Sequence, residues 1–179
     1  MKILCIIPAR SGSKGIPNKN IKMVRGKPML AWSIEHAQKS KYNMKIVVST
    51  DSEEYAKIAR KYGAETPFLR PKNLSQDIST DYECIEHSIK WLENNENYVP
   101  DIILHLRPTQ PCRKVKDIDD ALELFIKNRD YYDSLRSVIP VQKSPFKMYL
   151  TQNNELKPLI NSIHKIHEPY NQPRQILPQ

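Results

Sequence analysis

Lys2-Ile3-Leu4-Cys5-Ile6-Ile7-Pro8-Ala9-Arg10-Ser11-Gly12-Ser13-Lys14-Gly15-Ile16-Pro17-Asn18-Lys19-Asn20 starts one residue into the chain, and its two halves are chemically unlike. Residues 2 to 8 form a continuous apolar run. That is the pattern of a parallel strand buried on both faces, where no solvent side imposes alternation. Residues 9 to 20 are a basic loop holding two of the chain's four glycines. The apolar run stops at Pro8 and Arg10 follows, which is too short for the core of a signal peptide. A cytoplasmic protein is the expectation.

Downstream of the loop, strand and helix signals alternate. Pro28 sits at a first helical position, and Leu30, Ile34 and Ala37 recur at helical spacing up to about Lys39. Residues 44 to 49 read as a strand. Asp51 or Ser52 can cap the helix that follows, with Tyr55, Ala56, Ala59 and Tyr62 facing inward and Gly63 ending it. A short extended stretch is expected at 66 to 69. Thr80-Asp81-Tyr82-Glu83 is a capping box opening a helix with Ile85, Ile89 and Leu92 at core spacing. Residues 101 to 106 read as a strand, residues 117 to 127 as a helix burying Ile118, Ala121, Leu122 and Phe125, and residues 134 to 141 as a last strand.

Strands alternating with helices imply right-handed βαβ crossovers. The fold expected is therefore α/β, a doubly wound, mostly parallel, Rossmann-like sheet. In such folds ligands bind beyond the carboxyl ends of the strands, where the basic loop lies. From Pro140 onward prolines recur at 145, 158, 169, 173 and 178 and periodicity fades. The expected division is an α/β domain over residues 1–139 and an extended proline-rich arm over 140–179.

Composition supports one soluble globular domain: 179 residues, 39% apolar and 27% charged, a mixture too apolar for disorder and too polar for a membrane span. The net charge of +8 could suggest a nucleic-acid surface, but its distribution argues otherwise. Seven cations precede the first acid, Glu35, so residues 1–34 carry +7 and all the rest only +1. A charge excess confined to one loop and its flanks suits a small polyanion better than a long phosphate backbone. Cys5, Cys84 and Cys112 have neither disulfide-framework nor zinc spacing and are expected as buried thiols.

The loop carries the functional reading. Gly12 and Gly15 allow positive φ and close approach of backbone N–H groups to an anion, and Arg10, Lys14 and Lys19 supply charge-assisted hydrogen bonds to its oxygens. A polyphosphate fits. The order of residues is neither a Walker A loop nor G-x-G-x-x-G. His164-x-x-His167 lacks partners for a metal site, and Asp117, Asp119 and Asp120 at a helix start complement the macrodipole.

Residues 7 to 20 closely resemble the signature loop of the acylneuraminate cytidylyltransferases, the CMP-sialic acid synthetase family. The resemblance continues through Gly26-Lys27-Pro28-Met29, Ser49-Thr50-Asp51, Phe68-Leu69-Arg70-Pro71, residues 77 to 81, Leu106-Arg107-Pro108-Thr109-Gln110-Pro111 and Pro145-Phe146-Lys147-Met148, essentially the whole chain. It implies a cytidylyltransferase that uses CTP and Mg²⁺ to convert an acidic nine-carbon sugar to its CMP derivative, with release of pyrophosphate. By matching position, Arg10, Lys14 and Lys19 act in catalysis. Ala9, Arg10, Gly12, Ser13, Lys14, Lys19, Asn20, Arg70, Thr80 and Asp81 hold the nucleotide, and Arg107, Thr109 and Gln110 face the sugar. The metal ligands stay unassigned. The proline-rich arm resembles the segment through which family members form homodimers.

Two departures stand out. Ser11 replaces a glycine, which is tolerable if its φ stays negative. Arg107 replaces a glutamine that the family uses near the sugar, so it either pairs with a sugar carboxylate or sits in a surface ion pair. The sequence also ends before the acidic D-x-D-like segment with which relatives hold the metal, so an end shortened relative to the family is expected. The alternatives are transfer to another acidic sugar, such as an octulosonate, pseudaminic or legionaminic acid, and a nucleotide-binding module without turnover.

Overall fold

The computed structural model describes residues 1–138, 149–153 and 155–158. The chain divides into two compact units, Met1–Asp133 and Ser134–Gln179.

The first unit is built on a three-stranded parallel sheet in the order β4-β1-β5. Its strands are β1 (Ile3–Pro8), β4 (Lys45–Ser49) and β5 (Ile102–His105). β1 is central, paired with β4 from Leu4↔Lys45 to Pro8↔Ser49 and with β5 from Ile3↔Ile102 to Ile6↔His105. The apolar run is continuous because both faces of β1 are covered. Ile3, Cys5 and Ile7 pack with Leu30, Ile34, Tyr55, Ala59, Ile118 and Leu122, whereas Leu4 and Ile6 pack on the opposite side with Phe68 and Leu92. Burying one such aliphatic side chain is worth about 1.5 to 3 kcal/mol, which makes β1 the anchor for the loop that leaves it.

The helices cover these two faces. α1 (Met29–Gln38) follows a β2 (Met23–Val24) and β3 (Lys27–Pro28) hairpin, whose turn residues Arg25 and Gly26 have φ of 49° and 80°. Positive φ at both central positions is the requirement of a two-residue type I′ turn. This hairpin was not expected from the sequence. α2 (Glu53–Lys61) is capped by Ser52, not Asp51, and Gly63 leaves it at φ 87°. α3 (Asp81–Glu96) opens with the expected capping box: Thr80 Oγ1 accepts from the Glu83 N–H at 3.2 Å, and Glu83 Oε2 accepts from the Thr80 N–H at 2.7 Å. α4 (Val115–Asn128) begins two residues before the expected start at Asp117, and Asp119 accepts from Ser40 Oγ at 2.6 Å.

Some expectations do not hold. Residues 66–69, expected only as an extended stretch, belong to no strand, and Glu65 just before them bridges to Val47. Residues 134–138 form no strand and are exposed, with Val138 at 85%. Cys5 and Cys84 are buried, and burial pushes the Cys5 thiol up to about 12, but Cys112 is exposed.

In the second unit the described residues form an antiparallel hairpin, β6 (Tyr149–Gln152) and β7 (Glu155–Pro158), with Asn153 at φ 52° in its turn. Pro140 and Pro145, the pair His164 and His167, and most of the proline-rich arm lie outside the described residues.

Candidate functional site

An open cleft of about 340 Å³ lies beyond the carboxyl ends of the sheet. It is lined by Pro8 at the end of β1, by Arg10, Ser13, Lys19 and Asn20 of the basic loop, by Arg70, by Ser79, Thr80 and Asp81 at the start of α3, and by Arg107, Pro108 and Thr109 after β5. Nine residues singled out in the sequence thus meet here from four separate stretches. Ala9, Gly12, Lys14 and Gln110 do not line the cleft. Ala9 is buried and donates its N–H to the Ser49 carbonyl at 2.9 Å, and Gln110 is exposed.

The loop is held at both ends. Ser11 donates from its N–H and its Oγ to the two carboxylate oxygens of Asp51, each at 2.8 Å, which fastens the loop to the end of β4. Ser11 is not among the positive-φ residues, so the side chain is accommodated without strain. Further on, the buried Asn20 donates from Nδ2 to the Arg10 carbonyl at 3.0 Å. The left-handed bend falls at Asn18, φ 53°, where Tyr55 donates its hydroxyl to Oδ1 at 3.3 Å. Gly12 and Gly15, read from the sequence as allowing positive φ, do not adopt it, and a Cβ on either would meet no protein atom within 4 Å.

The cations of the cleft fall into two kinds. Arg70 is 6% exposed and has no acidic partner among the described residues; it donates from Nη2 to the Ser49 carbonyl at 3.1 Å, and its Nε has no hydrogen-bond partner. Its charge contributes, after burial, to holding the neighbouring His87 imidazole below its ordinary value. The outer cations are paired. Arg10 meets Asp77 at 2.9 Å, Lys14 bonds the other oxygen of the same carboxylate, and Arg107 bonds Asp81. The Lys14 hydrogen bond first, then that of Arg10, holds the Asp77 carboxyl below its usual range. Lys19 makes no ion pair among the described residues.

The segment after β5 is clamped through one carbonyl. The Arg107 carbonyl accepts from Arg113 Nη2 at 3.2 Å and from the fully buried Ser33 of α1 at 3.3 Å. Sequence reasoning missed Arg113, Asp51 as a loop anchor, and Asp77 as a counter-charge. Their cues are only single residues far apart in the chain.

Among the described residues no three His, Cys, Asp or Glu side chains group so as to hold a metal ion. The carboxylates bordering the cleft are engaged, Asp51 by Ser11, Asp77 by Arg10 and Lys14, and Asp81 by Arg107. These residues do not fit the metal site that the resemblance implies. No described helix is long and apolar enough to cross a membrane.

Residues 4–162 match a family described as cytidylyltransferase. The pseudaminic acid cytidylyltransferase of Campylobacter jejuni (strain 81-176) is 40% identical over 158 residues, 87% of this chain and 66% of that protein. The N-acylneuraminate cytidylyltransferase of Escherichia coli O18:K1:H7 is 43% identical over 124 residues, 69% of this chain and 28% of that protein. The chain thus spans just under two thirds of the first relative and under a third of the second. Among solved structures, a CMP:2-keto-3-deoxy-manno-octonic acid synthetase complexed with CTP aligns at a TM-score of 0.60 and 20% identity, over 72% of this chain and 49% of that one. That likeness establishes the α/β fold.

Proposed function

The chain belongs to the cytidylyltransferase family, and from that premise we propose that it transfers the CMP group of CTP to a sialic-acid-like nine-carbon acidic sugar. The anomeric oxygen of the sugar attacks the α-phosphorus, the bond from that phosphorus to the bridging oxygen breaks, and pyrophosphate leaves as the hydroxyl gives up its proton. Such a substitution asks little covalent chemistry of the protein, only alignment and neutralisation of charge on the phosphate oxygens.

The observation that carries the reading is Arg70. A guanidinium buried without a carboxylate is costly unless an acceptor arrives from outside, and this one borders the cleft. We assign Arg70 and Asn20, with Thr80 and Asp81 nearby, to the nucleotide. Arg10, Ser13, Lys14 and Lys19 would take the triphosphate, with Ala9 and Gly12 shaping the backbone against it. Lys14 and Arg10 must first leave Asp77, which is feasible because ion pairs this exposed contribute little. Arg107, Thr109 and Gln110 would face the sugar, and the identities of the pseudaminic and acylneuraminic relatives favour that sugar class. Mg²⁺ remains the expected cofactor, with no step assigned to it. We place the protein in the cytoplasm, with a nucleotide-binding domain over 1–139 and a homodimer formed through residues 140–179.

Pyrophosphate release from CTP, assayed with N-acetylneuraminic, pseudaminic, legionaminic and octulosonic acids, tests the proposal. Release with a nine-carbon acid is expected; release with the octulosonate alone would move the reading to that sugar. Because no three His, Cys, Asp or Glu side chains group as metal ligands among the described residues, a second reading is a nucleotide-binding module without turnover, which CTP binding with no pyrophosphate from any sugar would favour.

A further inference from the structure

Asp81 has two neighbours of very different freedom, the Arg107 guanidinium and the His105 imidazole. Arg107 bonds its Oδ2 from a side chain that is 62% exposed, on a segment that leaves the sheet. His105 approaches the same oxygen, Nε2 at 3.8 Å, from inside the fold. His105 is the last residue of β5 and is registered opposite Ile6 of the central strand, so its backbone is fixed. Asp81 is fixed equally, in the first turn of α3 directly after the N-cap residue Thr80. The His105 Nε2 is buried and has no hydrogen-bond partner, a condition that native structures rarely leave unexplained. One carboxylate thus stands between a pinned imidazole with an idle nitrogen and a guanidinium that can swing away.

We propose that His105 is a positioning residue for the sugar half of the cleft, taking over the Asp81 carboxylate when Arg107 leaves it for the carboxylate of the acidic sugar. This rests on the assignment of Arg107 to the sugar made above. The exchange balances in charge. The sugar brings one negative charge to Arg107, and His105 takes up one proton from solvent to become the donor that Asp81 has lost. The groups facing the imidazole agree with that direction. Burial first, then Arg107 and Arg113, hold it below its ordinary value, against the opposing pull of Asp81. Removing Arg107 from Asp81 takes away a repelling cation and leaves the carboxylate to the imidazole alone.

Two measurements on the full chain test this separately. The first needs no sugar: the His105 imidazole is titrated by NMR in the wild type and in Arg107→Gln. An upward shift of its pKa in the variant is expected; an unchanged or lower value overturns the exchange. The second follows binding of N-acetylneuraminic and pseudaminic acids, with CTP present, from about pH 6 to pH 8. Relative to His105→Gln, which can donate to Asp81 without titrating, wild-type affinity should fall by up to about tenfold per pH unit above the imidazole pKa, a ratio in which the protonation of CTP cancels. A thermal melt confirms that this variant is folded. Equal slopes in the two proteins would overturn the proposal. If no acidic sugar binds while the NMR shift is present, the sugar assignment fails and the His105–Asp81–Arg107 exchange stands.

Discussion

The floor and the rim of the cleft hold cations under opposite conditions. Arg70 at the floor is buried, is fastened to the Ser49 carbonyl and has no acid beside it among the described residues. Arg10, Lys14 and Arg107 at the rim are more exposed, and each already grips a carboxylate. A cation kept unpaired in a low dielectric is preorganised: it needs no partner removed before it binds. A cation paired at the surface must exchange one acid for another and gains only the difference. The floor therefore supplies affinity for the nucleotide, and the rim supplies exchange.

Arg70→Met is the substitution expected to break this contrast most severely. It keeps the volume and removes the buried charge, so CTP affinity should fall by roughly 10- to 100-fold through the lost charge-assisted contacts. The melting temperature should hold or rise, because an uncompensated buried charge disappears with the side chain. Isothermal titration and a thermal melt decide it. A clear drop in melting temperature with CTP affinity intact would make Arg70 a structural residue and remove the contrast.

Lys19→Ala comes next. Lys19 lines the cleft and has no ion pair among the described residues, so it sits at the rim but behaves like the floor. Its loss should weaken CTP binding by about 1 to 2 kcal/mol, read by titration calorimetry. Unchanged affinity would mean that the basic loop is not where the phosphates bind.

The two regions also differ in how far the sequence disclosed them. β1 was legible because burial on both faces writes itself as an unbroken apolar run, and the α3 start was legible because Thr80 and Glu83 lie three residues apart. Of the cleft residues, Arg10 and Lys19 were legible from the composition of the basic loop, whereas Arg70, Asp81 and Arg107 were legible only as a resemblance, since the sheet and not spacing brings them together. What stayed hidden was pairing at long range. Asp77 lies more than sixty positions after the two cations it holds, and nothing local marks it as their counter-charge. Local rules also misled: Gly12 and Gly15 allowed positive φ, whereas an asparagine, which tolerates the left-handed region, adopts it at position 18. The strand expected at 134 to 141 failed over 134–138 because apolar content there is not matched by pairing with any strand.

Asp77→Asn addresses the rim directly and acts in the opposite sense to the first two substitutions. Removing the carboxylate that Arg10 and Lys14 share frees both for phosphate, so CTP affinity should rise by roughly two- to fivefold. A fall in affinity would show that Asp77 aids binding by orienting its cations, and the idea of exchange at the rim would be lost.

The smallest effect concerns acidity and separates competition from orientation further. Lys14 and Arg10 hold the Asp77 carboxyl below its usual range. A depressed carboxylate keeps its ion pairs fully above the ordinary carboxylate value and loses them only as pH falls through the lowered one. Acidification from about pH 7 to pH 5 therefore leaves Asp77 charged and cannot imitate its replacement by asparagine. CTP itself titrates over that interval, so the quantity to follow is the ratio of the two proteins' affinities, in which the ligand's own protonation cancels. That ratio should stay constant down to about pH 4, the ordinary aspartate value, and approach one only in more acid solution. If it is already half closed at about pH 4, Asp77 is not held by the two cations in solution, and the rim is as free as the floor.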